Sequence, residues 1–135
     1  MARKVDFKKA LRDTREGVDK TIRATALDMF KDIVLRTPVD TGRLRGNWQV
    51  SYGNPIKTET DTVDKSESGS VVMGLAANTL NRSNLNFETI WFSNNLPYAE
   101  RIENGYSRQQ PQGMVKVTIL EYQPLLEKYA RINKI

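Results

Sequence analysis

The chain contains neither cysteine nor histidine among its 135 residues. Without cysteine there is no disulfide, no thiol nucleophile and no thiolate-bound zinc, and the composition carries no trace of a redox compartment. Without histidine, the most common general base and the most common transition-metal ligand are both missing. Any catalysis would fall to carboxylates, Lys, Tyr, Ser or Thr, or to Mg2+ or Ca2+ held by carboxylates, so an enzyme is not the expectation. Long apolar runs are lacking too, and nothing approaches the roughly 18 residues that would span a bilayer. The opening Met1-Ala2-Arg3-Lys4-Val5-Asp6 leads into mixed charge in place of an apolar signal core, so neither membrane insertion nor Sec-type export is expected. A phosphate-cradling glycine loop, a Gly-x-Ser-x-Gly elbow and a calcium loop are also missing, and no cofactor or metal is expected.

A length of 135 residues fits one domain able to bury its own core, and 1–135 is read as one. The apolar share of 39% is lean, as a small core with polar appendages would make it. The net charge of +5 is unevenly spread. Residues 1–45 carry 12 basic and 7 acidic side chains, residues 46–100 carry 3 and 6, and residues 101–135 carry 6 and 3. Arg3, Lys4, Lys8, Lys9, Arg12 and Arg15 crowd the first fifteen positions, opposed by Asp6 and Asp13. Such a stripe suits a phosphate backbone, a solvated helix face or an acidic neighbour. Phe7 is the only aromatic residue among them, which argues against a base-stacking platform.

Phe7, Leu11, Val18, Ile22, Met29 and Ile33 recur at steps of four and seven, which predicts an amphipathic helix from about Phe7 to Leu35. At 1.5 Å per residue it would be roughly 43 Å long, more than a lean domain can cover alone. The spacing favours packing on a sheet, with a coiled coil as the alternative. Gly17 marks a possible kink or break, and Pro38 ends the helix. Thr37–Asn47 reads as a turn in which Gly42 takes positive φ, and Trp48, Val50 and Tyr52 then alternate with polar residues as in a half-buried strand.

Residues 53–70 are polar, acidic and rich in Thr and Ser, and are expected to form a hairpin arm or loop outside the core. Val71-Val72-Met73 is read as the start of a strand, Asn78–Asn86 as a polar connection, and Phe87–Ser93 as a second strand. Pro97 suits the first turn of a short helix that Gly105 stops. At the C-terminus Val115, Ile119, Tyr122, Leu126 and Tyr129 keep helical steps, and Pro124 kinks or splits that helix.

Possible chemistry is sparse. Glu59, Asp61, Asp64 and Glu67 form an acidic cluster without coordination register, read as a solvated arm in preference to a cation site. Glu100 and Glu103 share a helix face, which suits an acid–base pair or, with Arg101 beside them, a structural ion pair. Trp48 and Trp91 are read as core. Arg36, Arg43 and Arg45 surround the turn; Arg43 and Arg45, two apart, would project to one side of an extended segment and engage a carboxylate or phosphate. A protein partner is favoured over nucleic acid, with the acidic middle of a neighbouring copy as complement.

Three ordered blocks, Thr37–Trp48, Ser93–Ser107 and Gln110–Val115, give the chain a resemblance to the tail-completion family of tailed double-stranded DNA bacteriophages, whose members are also described as neck, head–tail joining or minor tail components. The blocks cover about a third of the chain. Gln110 stands before Pro111 where a small residue is more usual, and residues 53–70 carry no family signature.

The resemblance implies a non-enzymatic virion protein, in the host cytoplasm during assembly and afterwards at the neck, that forms a ring at the head-proximal end of the tail and helps join tail to head. Its implied partners are copies of itself, a tail terminator, the tail tube, and head-completion or connector proteins, with DNA passing through the lumen without specific binding. A basic nucleic-acid-binding module is the alternative. Candidate contact residues are Arg36, Asp40, Arg43, Arg45, Tyr98, Glu100, Arg101, Glu103 and Arg108; Pro38, Gly42, Trp48, Pro97, Gly105, Pro111 and Gly113 are expected to shape the turns. The expected architecture is α+β, with an N-terminal and a C-terminal helix packed on a small, mainly antiparallel sheet and a protruding polar arm at 53–70. Charge reversal of Arg43 and Arg45 together is expected to block assembly and leave the monomer folded.

Overall fold

The computed structural model describes residues 1–82, 89–105 and 113–135. The fold is α+β. Helix α1 runs unbroken over Phe7–Arg36, started by Asp6, whose carboxylate accepts from the Lys9 amide at 3.0 Å. Helix α2 (Arg43–Gly46), strand β1 (Gln49–Tyr52), helix α3 (Ser70–Arg82), strand β2 (Ile90–Ser93) and helices α4 (Ala99–Glu103), α5 (Val115–Ile119) and α6 (Tyr122–Ile132) follow. The strands pair antiparallel, Val50 opposite Phe92 and Tyr52 opposite Ile90. Among the described residues no helix is long and apolar enough to cross a membrane.

The core lies where α1, α3 and β1 meet. Phe30, Ile33, Val34, Leu44, Trp48, Val50, Val72, Ala76, Leu80, Leu96 and Met114 are buried there. Each large apolar side chain so enclosed contributes roughly 1.5–3 kcal/mol. The Phe30 and Phe92 rings meet at 5.4 Å between centroids, tilted by 50°.

The heptad reading captured the helix but only part of its inward face, Ile33 being buried as expected. Phe30 and Val34 are fully buried, whereas Ile22 and Met29 are only half-buried, lining an apolar groove with Ile90, Phe92, Tyr122 and Leu126. Two flanks of α1 are covered, one by α6 and the other by α3, so its buried sector is wider than a heptad stripe. The α6 flank also carries polar contacts: Thr21 and Thr25 are buried, Asn133 Nδ2 donates to Thr21 Oγ1 at 3.1 Å, and the Tyr129 hydroxyl donates to Asp28 at 2.5 Å. That bond, with burial adding to it, pushes the Tyr129 phenol up to about 12. Gly17 does not break the helix. A Cβ there would lie 2.8 Å from Ile135 Cγ2, so the glycine makes room for the C-terminal residues to cross α1.

Other expectations are corrected. Val71–Met73 and Asn78–Arg82 belong to one helix, α3, which buries Val72, Ala76 and Leu80 at helical spacing. Trp91 is 39% exposed, because strand alternation turns Ile90 and Phe92 inward and leaves the indole on the opposite face, donating to the Gly53 carbonyl at 2.8 Å. Residues 53–69 have no regular structure, as expected of a loop, yet they are docked against the body: Asp64 and Gly69 are buried. The C-terminal helix is split as Pro124 suggested, but the register resets at the break. Ile119 is 58% exposed, and Thr118 is buried in its place. Pro124 lies in the first turn of α6, where its missing amide costs nothing.

Candidate functional site

The two quoted blocks that fall largely among the described residues form one junction at the C-terminal end of α1. Thr37 closes that helix: its amide bonds the Val34 carbonyl, and its hydroxyl donates to Ile33 O at 2.7 Å and accepts from Trp48 Nε1 at 2.8 Å. The chain then turns through Pro38–Thr41 to Gly42, at φ 83°, a value only glycine adopts without strain, and enters α2. Asn94 Nδ2 reaches across to the Leu44 carbonyl at 2.8 Å, and Asn95 Nδ2 bonds the carbonyls of Ile56 and Thr58. An open groove of about 300 Å³ lies between the blocks, lined by Pro38, Val39, Asp40, Thr41, Gly42, Leu44, Tyr98 and Ile102.

The loop is held against α2 by polar contacts that sequence patterns do not reveal. Asn47 is fully buried; its amide donates to Arg43 O, and its carbonyl oxygen accepts from the Thr60 amide at 2.9 Å. The Asp64 amide donates to Gly42 O at 3.0 Å. The Asp64 carboxylate, 1% exposed, accepts from Ser66 and from the Val72 amide at 3.0 Å, the latter in the first turn of α3. Burial opposes its ionisation, but the Ser66 hydroxyl, the amides of Val72 and Ser66 and the charge of Arg45 outweigh burial and hold the carboxyl below its ordinary value. Asp64 was legible only as one member of an acidic cluster. Its actual role is to tie the loop to a helix start.

The candidate contact residues divide sharply. Asp40, Glu100 and Arg101 are exposed, as are Arg43 and Tyr98; Arg43 Nη2 lies 3.6 Å from the Glu59 carboxylate. Arg45 is 6% exposed and points inward, because residues two apart diverge on a helix and α2 is a helical turn, not an extended segment. Its guanidinium donates to the carbonyls of Val34, Thr37 and Ser66. Arg36 is likewise turned to the body, donating to Thr118 Oγ1 at 2.6 Å and pairing with Glu121. Arg108 and Pro111 lie outside the described residues. Pro38 is half-buried, Pro97 exposed, and Trp48 buried; Gly105, at φ 92°, follows the end of α4 as expected.

Glu103 is not an acid–base partner of Glu100. Its carboxylate accepts from the amides of Met114, Val115 and Lys116 at 2.7, 2.8 and 2.9 Å, capping α5 from α4. Gly113 allows this approach, since a Cβ there would lie 2.6 Å from the Glu103 carbonyl oxygen. Glu103→Ala is expected to cost about 1–2 kcal/mol in urea denaturation, as loss of a helix cap does. Glu103→Gln keeps an acceptor and is expected to lose less.

Asp32, Arg36 and Glu121 join α1 to the start of α6. Burial first, then the hydrogen bond and charge of Glu121, push the Asp32 carboxyl up to about 6 against the pull of Arg36. Glu121 lies below its ordinary value, because Asp32 and Arg36 both hydrogen-bond to it. A carboxyl raised on folding favours the folded chain fully below 3.8, and that contribution is lost as the pH rises through about 6. Glu121 runs the other way, its contribution being present above 4.5 and lost in more acid solution. Asp32→Asn is therefore expected to raise Tm at neutral pH. A pH series of thermal melts should show the gain shrinking as the solution falls through about 6.

One family model matches most of the chain. The family model described as "Bacteriophage HK97-gp10, putative tail-component" matches residues 4–105, which takes in the whole of α1, the turn, the loop, both strands and α4. The third quoted block, Gln110–Val115, lies beyond that span. No curated protein and no solved structure matches the chain.

Proposed function

Because the chain belongs to the HK97-gp10-like family of bacteriophage tail components, and so works in a virion among other phage proteins, we propose that it is a non-enzymatic ring protein of the neck. Copies of the chain close a ring at the head-proximal end of the tail, complete the tail and help join it to the head. The ring's neighbours are tail-terminator, tail-tube, head-completion or connector proteins, and DNA passes its lumen without specific binding.

The observation that carries this reading is the N-terminal part of α1. Every residue from Met1 to Glu16 is exposed, including Val5 at 69%, Phe7 at 78% and Leu11 at 54%, although Phe7–Glu16 is regular helix. A single copy leaves this apolar stripe bare, and repeated subunits bury such surface against one another. Engagement of Glu103 in capping speaks against a carboxylate pair for catalysis. Electron microscopy of the purified protein tests the proposal. Closed rings, and label at the top of the tail in intact particles, are the expected result; monomers at all concentrations together with label elsewhere in the particle would overturn it.

The basic side chains on the same arm support the second reading, a nucleic-acid-binding module. It requires DNA affinity that falls steeply with salt. The exposed Phe7 and Leu11 between those charges favour protein contact.

A further inference from the structure

The ring reading leaves open which surfaces of two copies meet, and the inference that follows rests on that reading. Helix α3 presents an exposed face at helical spacing, Val71, Gly74, Leu75 and Asn78, while its other side is buried in the core. Val71 is 48% and Leu75 54% exposed. Between them Gly74 leaves open space, for a Cβ built there meets nothing within 4 Å. Beside this face runs the docked loop: Thr60 and Thr62 line a shallow groove together with Leu75, Ala76 and Thr79. Asp61 lies between those two threonines and Glu67 follows Ser66, whose hydroxyl accepts from the Ser70 amide at the head of α3; both acids are exposed.

The arm of α1 is the chemical complement. Phe7 and Leu11 are an i, i+4 apolar pair, as are Val71 and Leu75, and each pair spans about 6 Å along its helix. Lys8, Lys9, Arg12 and Arg15 flank the first pair and the acidic loop flanks the second. The arm cannot fold back onto its own α3, because it continues without a break into a helix that the C-terminal residues meet at Gly17 and against which α6 and α3 pack. We propose that the Phe7–Arg15 arm of one copy packs on the Val71–Asn78 face of a second copy, Phe7 and Leu11 straddling Gly74 and the basic side chains facing Asp61 and Glu67. Arm and face are different surfaces, so the contact is head-to-tail, the kind that propagates around a ring.

The natural lack of cysteine makes the test clean. Leu11→Cys and Leu75→Cys full-length variants, mixed and mildly oxidised, should give the 11–75 disulfide in severalfold excess over either homodimer. Gly74→Arg in the Leu75→Cys variant should abolish it while Tm stays equal or rises, since position 74 has space and glycine is a poor helix residue. Swapping charges, Lys8→Glu with Lys9→Glu on one copy and Asp61→Lys with Glu67→Lys on the other, should restore the cross-link that either pair alone weakens. Homodimers in equal yield, or a cross-link indifferent to Gly74→Arg, would overturn the contact. Rings seen by microscopy without the 11–75 bond would overturn this contact and leave the ring reading standing; the bond without rings would do the reverse. Salt-sensitive DNA binding through Lys8 and Lys9, with no 11–75 bond, would replace the partner copy by nucleic acid.

Discussion

Arg45→Met is expected to lower the unfolding free energy by about 3–5 kcal/mol, because breaking a buried charged network by removing one member is among the costlier single changes. For a chain of this size that is a fall in Tm of roughly 10–20 °C. Methionine fills the space of the arginine stem but offers no donor. Val34 O, which already accepts from the Thr37 amide, and Thr37 O are carbonyls at the end of α1, and Ser66 O belongs to the loop; the guanidinium serves all three, with Nε at 3.0 Å from Val34 O. Loss of its charge also removes one of the influences keeping Asp64 ionised, so the variant should unfold at a higher pH than the parent on acid titration. Arg45→Lys keeps the charge without the fork and should recover only part of the loss. Arg43→Glu, at an exposed pair, is expected to change stability by less than about 1 kcal/mol. Paired reversal of 43 and 45 thus reports on folding, and only Arg43 probes assembly. A wild-type melting curve for Arg45→Met would refute the role given to it.

Gly46→Ala should be nearly as damaging, by about 3 kcal/mol or more, for a steric reason. The added Cβ would sit 2.0 Å from the Thr62 carbonyl oxygen, 2.5 Å from its carbon and 3.0 Å from Val63 Cα, all backbone atoms. To admit it, the loop must lift off α2, breaking the Asn47–Thr60 and Asp64–Gly42 hydrogen bonds. Gly74→Ala is the control: the same substitution in open helix should stabilise by up to about 1 kcal/mol. Chemical denaturation of the two side by side checks the pair, and equal midpoints would show that α2 and the loop are not in contact.

The helices at both ends, the turn at Pro38, the antiparallel pair and the α4 stop at Gly105 were legible because each writes a local signal: periodicity, a ring that bars helix, alternation, a positive φ. The docked loop was not. Asp64, Asn47 and Arg45 look like surface residues in sequence, since polar side chains are usually solvated; what buries them is backbone amides and carbonyls brought close by tertiary structure. The α3 helix was hidden for a related reason, Val71-Val72-Met73 reading equally well as strand when its asparagine-rich continuation is set apart. Of the candidate contact residues, Asp40, Arg43 and Tyr98 are exposed, while Arg36, Arg45 and Glu103 are fastened within the chain. Asn94 supplies the physical link between the blocks at 37–48 and 93–105, through its bond to the Leu44 carbonyl.

Regularity and rigidity part company in this molecule. The amides of residues 7–16 lie in an ideal helix with water on every side, so local opening there exposes little that was buried and has little to resist it. The amides of Thr60, Asp64, Ser66 and Val72 bond to Asn47, Gly42 and the Asp64 carboxylate, and freeing them means dislodging groups that hold the core's edge. In deuterated solvent the irregular loop of a single, unassembled copy is therefore expected to keep its protons longer than the first turns of the longest helix.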